Sequence, residues 1–271
     1  ANNLAIYGGT GGGAILMRDI LIESNHIAGN GSLTSYYEHN TYLEGLNVTY
    51  QFNFFGEPRG IPGQAPAGSN IKDRGAGTVI RYNWIEDGAH IIDLVDAQEA
   101  QDTTVAMPEF HESWIYGNVI VRARDGGGSM IHYGGDSGVY STYRKGTLRF
   151  FNNTVVIKNQ AFSAYWQPSV FELSTNDEHL DARNNIFYST VAPTSTKEIY
   201  LLGLRDAVTS GIAQFSGNWF TTGWDAYRPA GQYNTVVAQV TGLNTSIYGA
   251  NPGFVNAVAN DFRLGSGSAA I

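Results

Sequence analysis

Hydrophobic and polar residues alternate along this chain in short runs that are separated by small residues. One run places Ile71 toward a core and Lys72 and Arg74 toward the outside. A corner of small residues, Gly75-Ala76-Gly77, leads into a second run over 78–85. In this run Val79, Arg81 and Asn83 alternate with Ile80, Tyr82 and Trp84, so the two groups are expected on opposite faces of a strand. We therefore predict two β-strands and a tight corner, which together form most of one coil of a solenoid.

An asparagine recurs at the same point of successive runs, two residues before an isoleucine, valine or phenylalanine. The seven positions are Asn25, Asn53, Asn83, Asn118, Asn153, Asn185 and Asn218. Their spacings of 28, 30, 35, 35, 32 and 33 residues indicate stacked coils. A β-propeller needs four antiparallel strands per repeat, but only two or three are found here. We predict an all-β fold, a right-handed parallel β-helix of about seven coils in one domain spanning residues 1–271, with these asparagines stacked at one corner as a structural ladder.

A further strand precedes each asparagine run, and its outward positions form a polar row. The row consists of Tyr42, Lys72, Asp93, His132 and Glu172, with Glu44 and Arg74 in the adjacent row. Long insertions flank these strands at 28–38, 56–68 and 158–168 on one side and at 97–112 and 136–145 on the other. Loops on both sides of one strand face form the walls of a groove. We predict that the polar row is the floor of this groove.

The predicted groove walls are rich in aromatic residues, which suit stacking on sugar rings. They are Tyr36, Tyr37, Phe110, Tyr140, Tyr143, Tyr165 and Trp166. The composition agrees, because 16 Tyr, 13 Phe and 5 Trp stand beside only 16 Lys plus Arg, with a net charge of −8. This balance disfavours a nucleic-acid partner, and no apolar run is long enough for membrane insertion. We therefore expect a polysaccharide as the partner.

Several segments resemble one known group of proteins. They are Asn251-Pro-Gly-Phe-Val-Asn256, Asp261-Phe-Arg-Leu264, His39-Asn-Thr-Tyr42, Asn70-Ile-Lys-Asp-Arg74, His132-Tyr-Gly-Gly135 and Asn152-Asn-Thr-Val155. Together they resemble secreted bacterial β-helix proteins of the pectate-lyase-like superfamily, in a polysaccharide-lyase-like branch. The resemblance implies a secreted, extracellular protein that acts on a polysaccharide. We further expect the chain to be a segment of a longer protein with more coils or domains.

A lyase that cleaves a uronate polymer must neutralise a carboxylate, remove a ring proton and protonate the leaving oxygen. The candidate catalytic residues are Lys72, Arg74, Tyr42, His132 and Asp93. Arg74 is expected to lower the pKa of Lys72 and to hold the substrate carboxylate, while Asp93 orients Lys72 or His132. Candidate substrate-binding residues are His39, Asn40, Asn70, Tyr133, Asp136, Tyr143 and Trp166. The simpler alternative is that Lys72 with Asp93, and Glu44 with Arg74, are only ion pairs between coils.

Other functions remain open from the sequence. A glycoside hydrolase needs two facing carboxyl groups, which Asp93 and Asp96, or either with Asp136, would supply. A glycan-binding adhesin or a structural solenoid needs no reactive groups. A zinc site from His39, His90 and His132 lacks a closely spaced pair of ligands. No metal or other cofactor is predicted; calcium stays open, without a specific acidic motif.

Overall fold

The computed structural model describes residues 4–6, 17–33, 35–60, 66–123, 128–158, 169–191, 199–204, 212–227 and 239–270. Over these residues the chain forms a parallel β-helix, which confirms the predicted fold class. Three parallel sheets contain eight strands each, so the described coils number one more than the predicted seven. Each described coil contributes one strand to each sheet, and the sheets are called I, II and III in the order in which the chain of one coil passes through them.

The strands follow this order through the stack. The first four coils contain β1 (Leu4–Ile6), β2 (Leu21–Glu23), β3 (His26–Ile27), β4 (Thr41–Leu43), β5 (Thr49–Gln51), β6 (Phe54–Phe55), β7 (Ile71–Asp73), β8 (Val79–Arg81), β9 (Trp84–Glu86), β10 (Ile92–Leu94), β11 (Glu112–Tyr116) and β12 (Val119–Arg122). The next four contain β13 (Ile131–Tyr133), β14 (Gly146–Phe151), β15 (Thr154–Ile157), β16 (Ser169–Leu173), β17 (Glu178–Arg183), β18 (Ile186–Ser189), β19 (Ile199–Leu204), β20 (Ile212–Ser216), β21 (Trp219–Thr221), β22 (Trp224–Tyr227), β23 (Gln239–Thr241) and β24 (Ile247–Gly249).

The recurring asparagines form one continuous ladder, as the sequence predicts. At each step the side-chain oxygen accepts from the backbone N–H and the side-chain amide of the asparagine one coil earlier. Asn118, for example, accepts from Asn83 and donates to Asn153, and its amide also donates to the carbonyl of Ile80 at 2.9 Å. The ladder runs unbroken from Asn25 to Asn218. These side chains therefore replace the backbone hydrogen bonds that the corner interrupts.

The ladder corner divides the second predicted strand into two. Tyr82, between β8 and β9, has a φ of 55°, a left-handed conformation that reverses the side-chain alternation. Ile80 and Ile85 consequently both point into the core, whereas Tyr82 is exposed and Trp84 is half-buried. The expected grouping of Ile80, Tyr82 and Trp84 on one side is thus wrong. An alternation rule holds only within an unbroken strand.

The core lies inside the coil and is built from the inward rows of the three sheets. In sheet I the register stacks Ile71, Ile92, Ile131 and Phe171, and all four are fully buried. Toward the carboxyl end the core becomes aromatic, with Phe187 and Phe220 stacked at 4.8 Å. Stacking of like side chains in successive coils is what a parallel in-register solenoid produces.

Short helices and a hairpin lie outside the coils. They are α1 (Gln101–Val105), 3₁₀ helices at Pro108–His111, Tyr140–Thr142, Leu243–Thr245 and Ala257–Ala259, and an antiparallel hairpin of β25 (Phe254–Asn256) and β26 (Asp261–Leu264). The hairpin packs back on sheet III, where Phe262 stacks on Trp84 with ring centres 5.7 Å apart. Within the described residues, no helix is long and apolar enough to cross a membrane.

Candidate functional site

The predicted polar row exists and lies on sheet I. The strand register aligns Tyr42 with Lys72, Lys72 with Asp93, Asp93 with His132, and His132 with Glu172. These residues come together because each occupies the central, outward position of its strand. Parallel in-register stacking brings side chains one coil apart into contact. Sequence alternation was sufficient to predict this row.

The row is not the open floor that the sequence predicts. Tyr42, Lys72, Asp93 and His132 are all at most 8% exposed. Segments 96–99 and 135–136, which follow β10 and β13, fold across the strand face and contact the row. The prediction of loops that stand only as side walls is wrong here, because their polar groups bond directly to the charged row.

Lys72 and Arg74 converge on one carboxylate at the edge of this buried face. Lys72 Nζ lies 3.0 Å from one oxygen of Asp136, and Arg74 Nη2 lies 3.7 Å from the other. The Asp136 side chain is 31% exposed, unlike the two cations. Arg74 also donates to the carbonyl of Asp96 and lies over the ring of Tyr42. The two cations therefore form a small anion-binding site, and the carboxylate of Asp136 fills it.

Lys72 is held in its charged form. Burial on its own lowers the pKa of Lys72, but Asp93 at 2.8 Å and Asp136 outweigh burial and raise the pKa. Arg74 by itself lowers the pKa of Lys72, as expected. The two carboxylates have the larger effect, so the pKa of Lys72 is raised overall. The expected pair of Lys72 with Asp93 is present, whereas Arg74 bonds to Asp96 and Asp136.

Asp93 also binds His132, and the bonds continue to a serine. Asp93 Oδ1 lies 2.9 Å from His132 Nδ1, and His132 Nε2 lies 2.8 Å from Ser174 Oγ. This order of bonds matches an Asp-His-Ser triad. Ser174 is fully buried, however, and its hydroxyl bonds to both the N–H and the carbonyl of Gly135. The chain of bonds consequently ties the 134–136 turn to the row and presents no accessible nucleophile.

Two glutamates that the sequence did not single out as catalytic lie beside Tyr42. The hydroxyl of Tyr42 donates to Glu99 at 3.1 Å, and the carboxyl groups of Glu99 and Glu44 share a hydrogen bond. Burial raises the pKa of Glu44, but the hydrogen bond from the Glu99 side chain and those from the backbone N–H groups of residues 98, 99 and 100 outweigh burial and lower the pKa. Burial and the neighbouring Glu44 raise the pKa of Glu99 to about 7. Glu99 is therefore a proton donor suited to neutral pH.

Three predicted substrate-binding residues lie beneath the surface at the start of the row. Asn40 and Asn70 are fully buried and hydrogen-bonded to each other at 2.8 Å, in a second asparagine ladder. His39 accepts the backbone N–H of Ser69 at Nδ1, and burial with the nearby charge of Lys72 lowers the pKa of His39 to about 4. These side chains are buried and make structural contacts. Their role in substrate binding therefore stays a prediction, and their burial does not favour it.

The aromatic residues divide into exposed and buried groups. Tyr36, Tyr37 and Tyr140 are exposed, as expected for groove walls. Tyr133, Tyr143 and Phe110 are fully buried, which contradicts their placement as groove residues. Tyr133 points into the core because it sits one position after the outward His132, and Tyr143 packs against Gly135. Tyr165 and Trp166 lie outside the described residues.

Comparison of the chain with protein-family models, with curated proteins and with solved structures found no match. The residues of the site are therefore the basis on which a function is proposed.

Proposed function

We propose that this chain is a secreted polysaccharide lyase that cleaves a uronate-containing polymer by β-elimination. The single observation that carries the proposal is the convergence of Lys72 and Arg74 on the partly exposed carboxylate of Asp136. Two fixed cations around one carboxylate offer a uronate the same contacts after Asp136 moves aside. Charge-assisted bonds to a carboxylate are among the strongest hydrogen bonds in proteins.

The proposed reaction uses four groups: Arg74 lies over the ring of Tyr42, Tyr42 bonds to Glu99, and Lys72 meets Arg74 at the carboxylate of Asp136. Arg74 neutralises the uronate carboxylate, which acidifies the adjacent ring C–H. Lys72, after losing its own proton to water, takes that ring proton; the electron pair of the C–H bond forms a double bond to the next carbon as the C–O bond there breaks. Tyr42 protonates the leaving oxygen, and Glu99 returns a proton to Tyr42 along their 3.1 Å hydrogen bond. Since the pKa of Lys72 is raised, the rate is expected to increase toward alkaline pH.

Other parts of the site have supporting roles in this proposal. Asp93 and His132 are too deeply buried to touch a polymer, and they position Lys72 from behind. The exposed side chains of Tyr36, Tyr37 and Tyr140 provide flat surfaces for sugar rings. The parallel β-helix and the motifs around Lys72 and His132 support membership of the pectate-lyase-like superfamily. A polymer substrate of this kind implies secretion.

The test is incubation of the protein with polygalacturonate, alginate and chondroitin while the ultraviolet absorbance of the unsaturated uronate product is recorded. A lyase produces this chromophore. Hydrolysis by a pair of aspartates produces reducing ends without it, and an adhesin binds polymer without cleavage. Either of these two results would replace the lyase proposal.

Variants then test the residues. Lys72→Ala and Arg74→Ala are each expected to reduce kcat/KM by at least about 100-fold, since general acid–base groups contribute roughly 10²–10⁴-fold. Lys145→Ala is the matched control, because Lys145 is an exposed lysine of the neighbouring loop that pairs with Asp177. Circular dichroism and thermal unfolding establish that each variant is folded. Full activity in folded Lys72→Ala would make the site assignment wrong.

A further inference from the structure

A second cluster lies directly behind the proposed lyase site. His90, Asp93 and His132 each offer one ligand atom, and the three atoms lie within 4.8 Å of one another. Asp93 and His132 meet because they are paired in the register of β10 and β13, and His90 precedes β10 by two residues. We infer that these three side chains form a binding site for one divalent transition-metal ion of the zinc type. The inference does not depend on the lyase proposal, because it concerns binding only.

In each of the two histidine rings one nitrogen has a hydrogen-bond partner outside the cluster. His90 Nδ1 lies 2.8 Å from the carbonyl of Ser129, which accepts only, so the ring proton is assigned to Nδ1 and Nε2 keeps its lone pair. His132 Nε2 lies 2.8 Å from Ser174 Oγ. Metal-ligating histidines usually donate their second N–H to such a partner, which fixes the tautomer and the ring orientation.

The bonds of Ser174 fit a metal-bound His132 in particular. Ser174 Oγ accepts the N–H of Gly135 and donates its single proton to the carbonyl of Gly135, both at 2.9 Å. A second N–H, from His132 Nε2, is then the natural partner for the remaining lone pair of the hydroxyl. With the ring proton on Nε2, Nδ1 of His132 faces Asp93 as a ligand atom. Every polar atom in this chain of bonds is satisfied in the metal-bound state.

One pair of the ligand atoms already has the spacing found in a metal centre. Two ligands at about 2.0–2.1 Å from one zinc ion lie roughly 3 Å apart, and His132 Nδ1 is 2.9 Å from Asp93 Oδ1. The metal would replace the proton that these two atoms now share. Gly128 lies against the ring of His90, where a Cβ would come within 2.5 Å of Cε1. The glycine therefore leaves room for the ring in its present position.

The donor set and the surrounding charges decide which ion fits. Two imidazoles and one carboxylate suit zinc and its transition-metal neighbours, whereas calcium and magnesium require oxygen ligands. Lys72 opposes a cation because its ammonium lies 2.8 Å from Asp93. Two further carboxylates offset it: Asp136 bonds to Lys72, and Glu172 accepts the hydroxyl of Ser129 beside His90. The half-buried His90 is the most accessible of the three ligands and marks the side of entry.

The experiment is a titration of the chelator-treated 271-residue chain with Zn²⁺ by calorimetry, and with Co²⁺ by visible absorption. We expect one ion per chain and the intense visible bands of four-coordinate Co²⁺. His90→Ala and His132→Ala should each weaken binding at least tenfold. Ser174→Ala, which removes only the partner of the ligand, should weaken it about 10–100-fold. His26→Ala is the matched control, because His26 is exposed on β3 and lies outside the cluster.

Each other outcome overturns the inference. Absence of binding at micromolar protein concentration would do so, as would unchanged affinity in folded His90→Ala. If the variant of the fully buried His132 does not fold, the half-buried His90 decides the question. Loss of zinc binding in the His26 variant would place the ion elsewhere. Polymer cleavage is measured separately, so a failure of the metal site and a failure of the lyase proposal remain distinguishable.

Discussion

The guanidinium of Arg144 donates to the carboxylate of Asp73 at 2.9 Å, and neither side chain is exposed. Arg144 belongs to the segment that follows the 134–136 turn, whereas Asp73 points into the coil from β7. The same guanidinium donates to the backbone carbonyls of Asp73 and Val95. This buried pair therefore anchors the segment that covers the polar row to the core of the solenoid.

Removing one partner of this pair is expected to destabilise the fold strongly. Arg144→Met leaves the Asp73 carboxylate buried without its cation, which costs about 3–5 kcal/mol. The free energy of unfolding in urea measures the effect. Arg263→Met is the control, because Arg263 pairs with Asp261 at the surface, where water and salt screen the interaction. The double variant Asp73→Asn with Arg144→Met should recover part of the loss, and a cost below about 1 kcal/mol for Arg144→Met alone would contradict the anchoring role.

The asparagine ladder makes a second prediction about stability. Asn118→Ala removes the hydrogen-bond partners of Asn83 and of the Ile80 carbonyl inside the core. We expect a loss of about 3 kcal/mol, because each buried group left unpaired costs roughly 1–3 kcal/mol. Asn152→Gly serves as the control, since Asn152 is exposed and has a φ of 53°, which glycine adopts freely. Equal unfolding free energies for the two variants would show that the ladder is not a major source of stability.

The pair of Glu44 and Glu99 predicts a pH dependence of stability. The pKa of Glu99 is raised from 4.5 to about 7 in the folded chain, so its contribution is complete below pH 4.5 and is lost as the pH rises through 7. The pKa of Glu44 is lowered, and its contribution is lost only as the pH falls below 4.5. The melting temperature of the protein, compared with that of Glu99→Gln, should therefore decrease between pH 5 and about 7.5. A constant difference over this range would mean that Glu99 does not titrate there.

Substitution of Asp136 is expected to strengthen substrate binding, whereas most substitutions in a binding site weaken it. If its carboxylate stands where a uronate carboxylate binds, Asp136→Ala removes an internal competitor for Lys72 and Arg74. The affinity for short oligouronates, measured by calorimetry, should then increase several-fold, and its salt dependence should become steeper. The affinity for a neutral oligosaccharide of the same length should not change. Weaker binding of oligouronates would show that Asp136 itself contacts the substrate.

Local pattern alone determined the fold and the polar row of this protein. The period of the asparagines and the alternation around Ile71, Ile92 and Ile131 depend only on which residues face inward, and parallel stacking then aligns Lys72 with Asp93 without any further information. The existence of the asparagine ladder follows for the same reason. These features repeat in every coil, so a single sequence contains several independent indications of each.

Only the tertiary structure decided what lies above the row. The contacts of Tyr42 with Glu99, Lys72 with Asp136 and Arg144 with Asp73 join residues 57, 64 and 71 positions apart, through loops that occur once and follow no period. Whether such a loop stands beside a charged face or folds across it depends on how its backbone and carboxyl groups pair with that face. Tyr143 is buried and Tyr140 is exposed, although both are tyrosines of one loop.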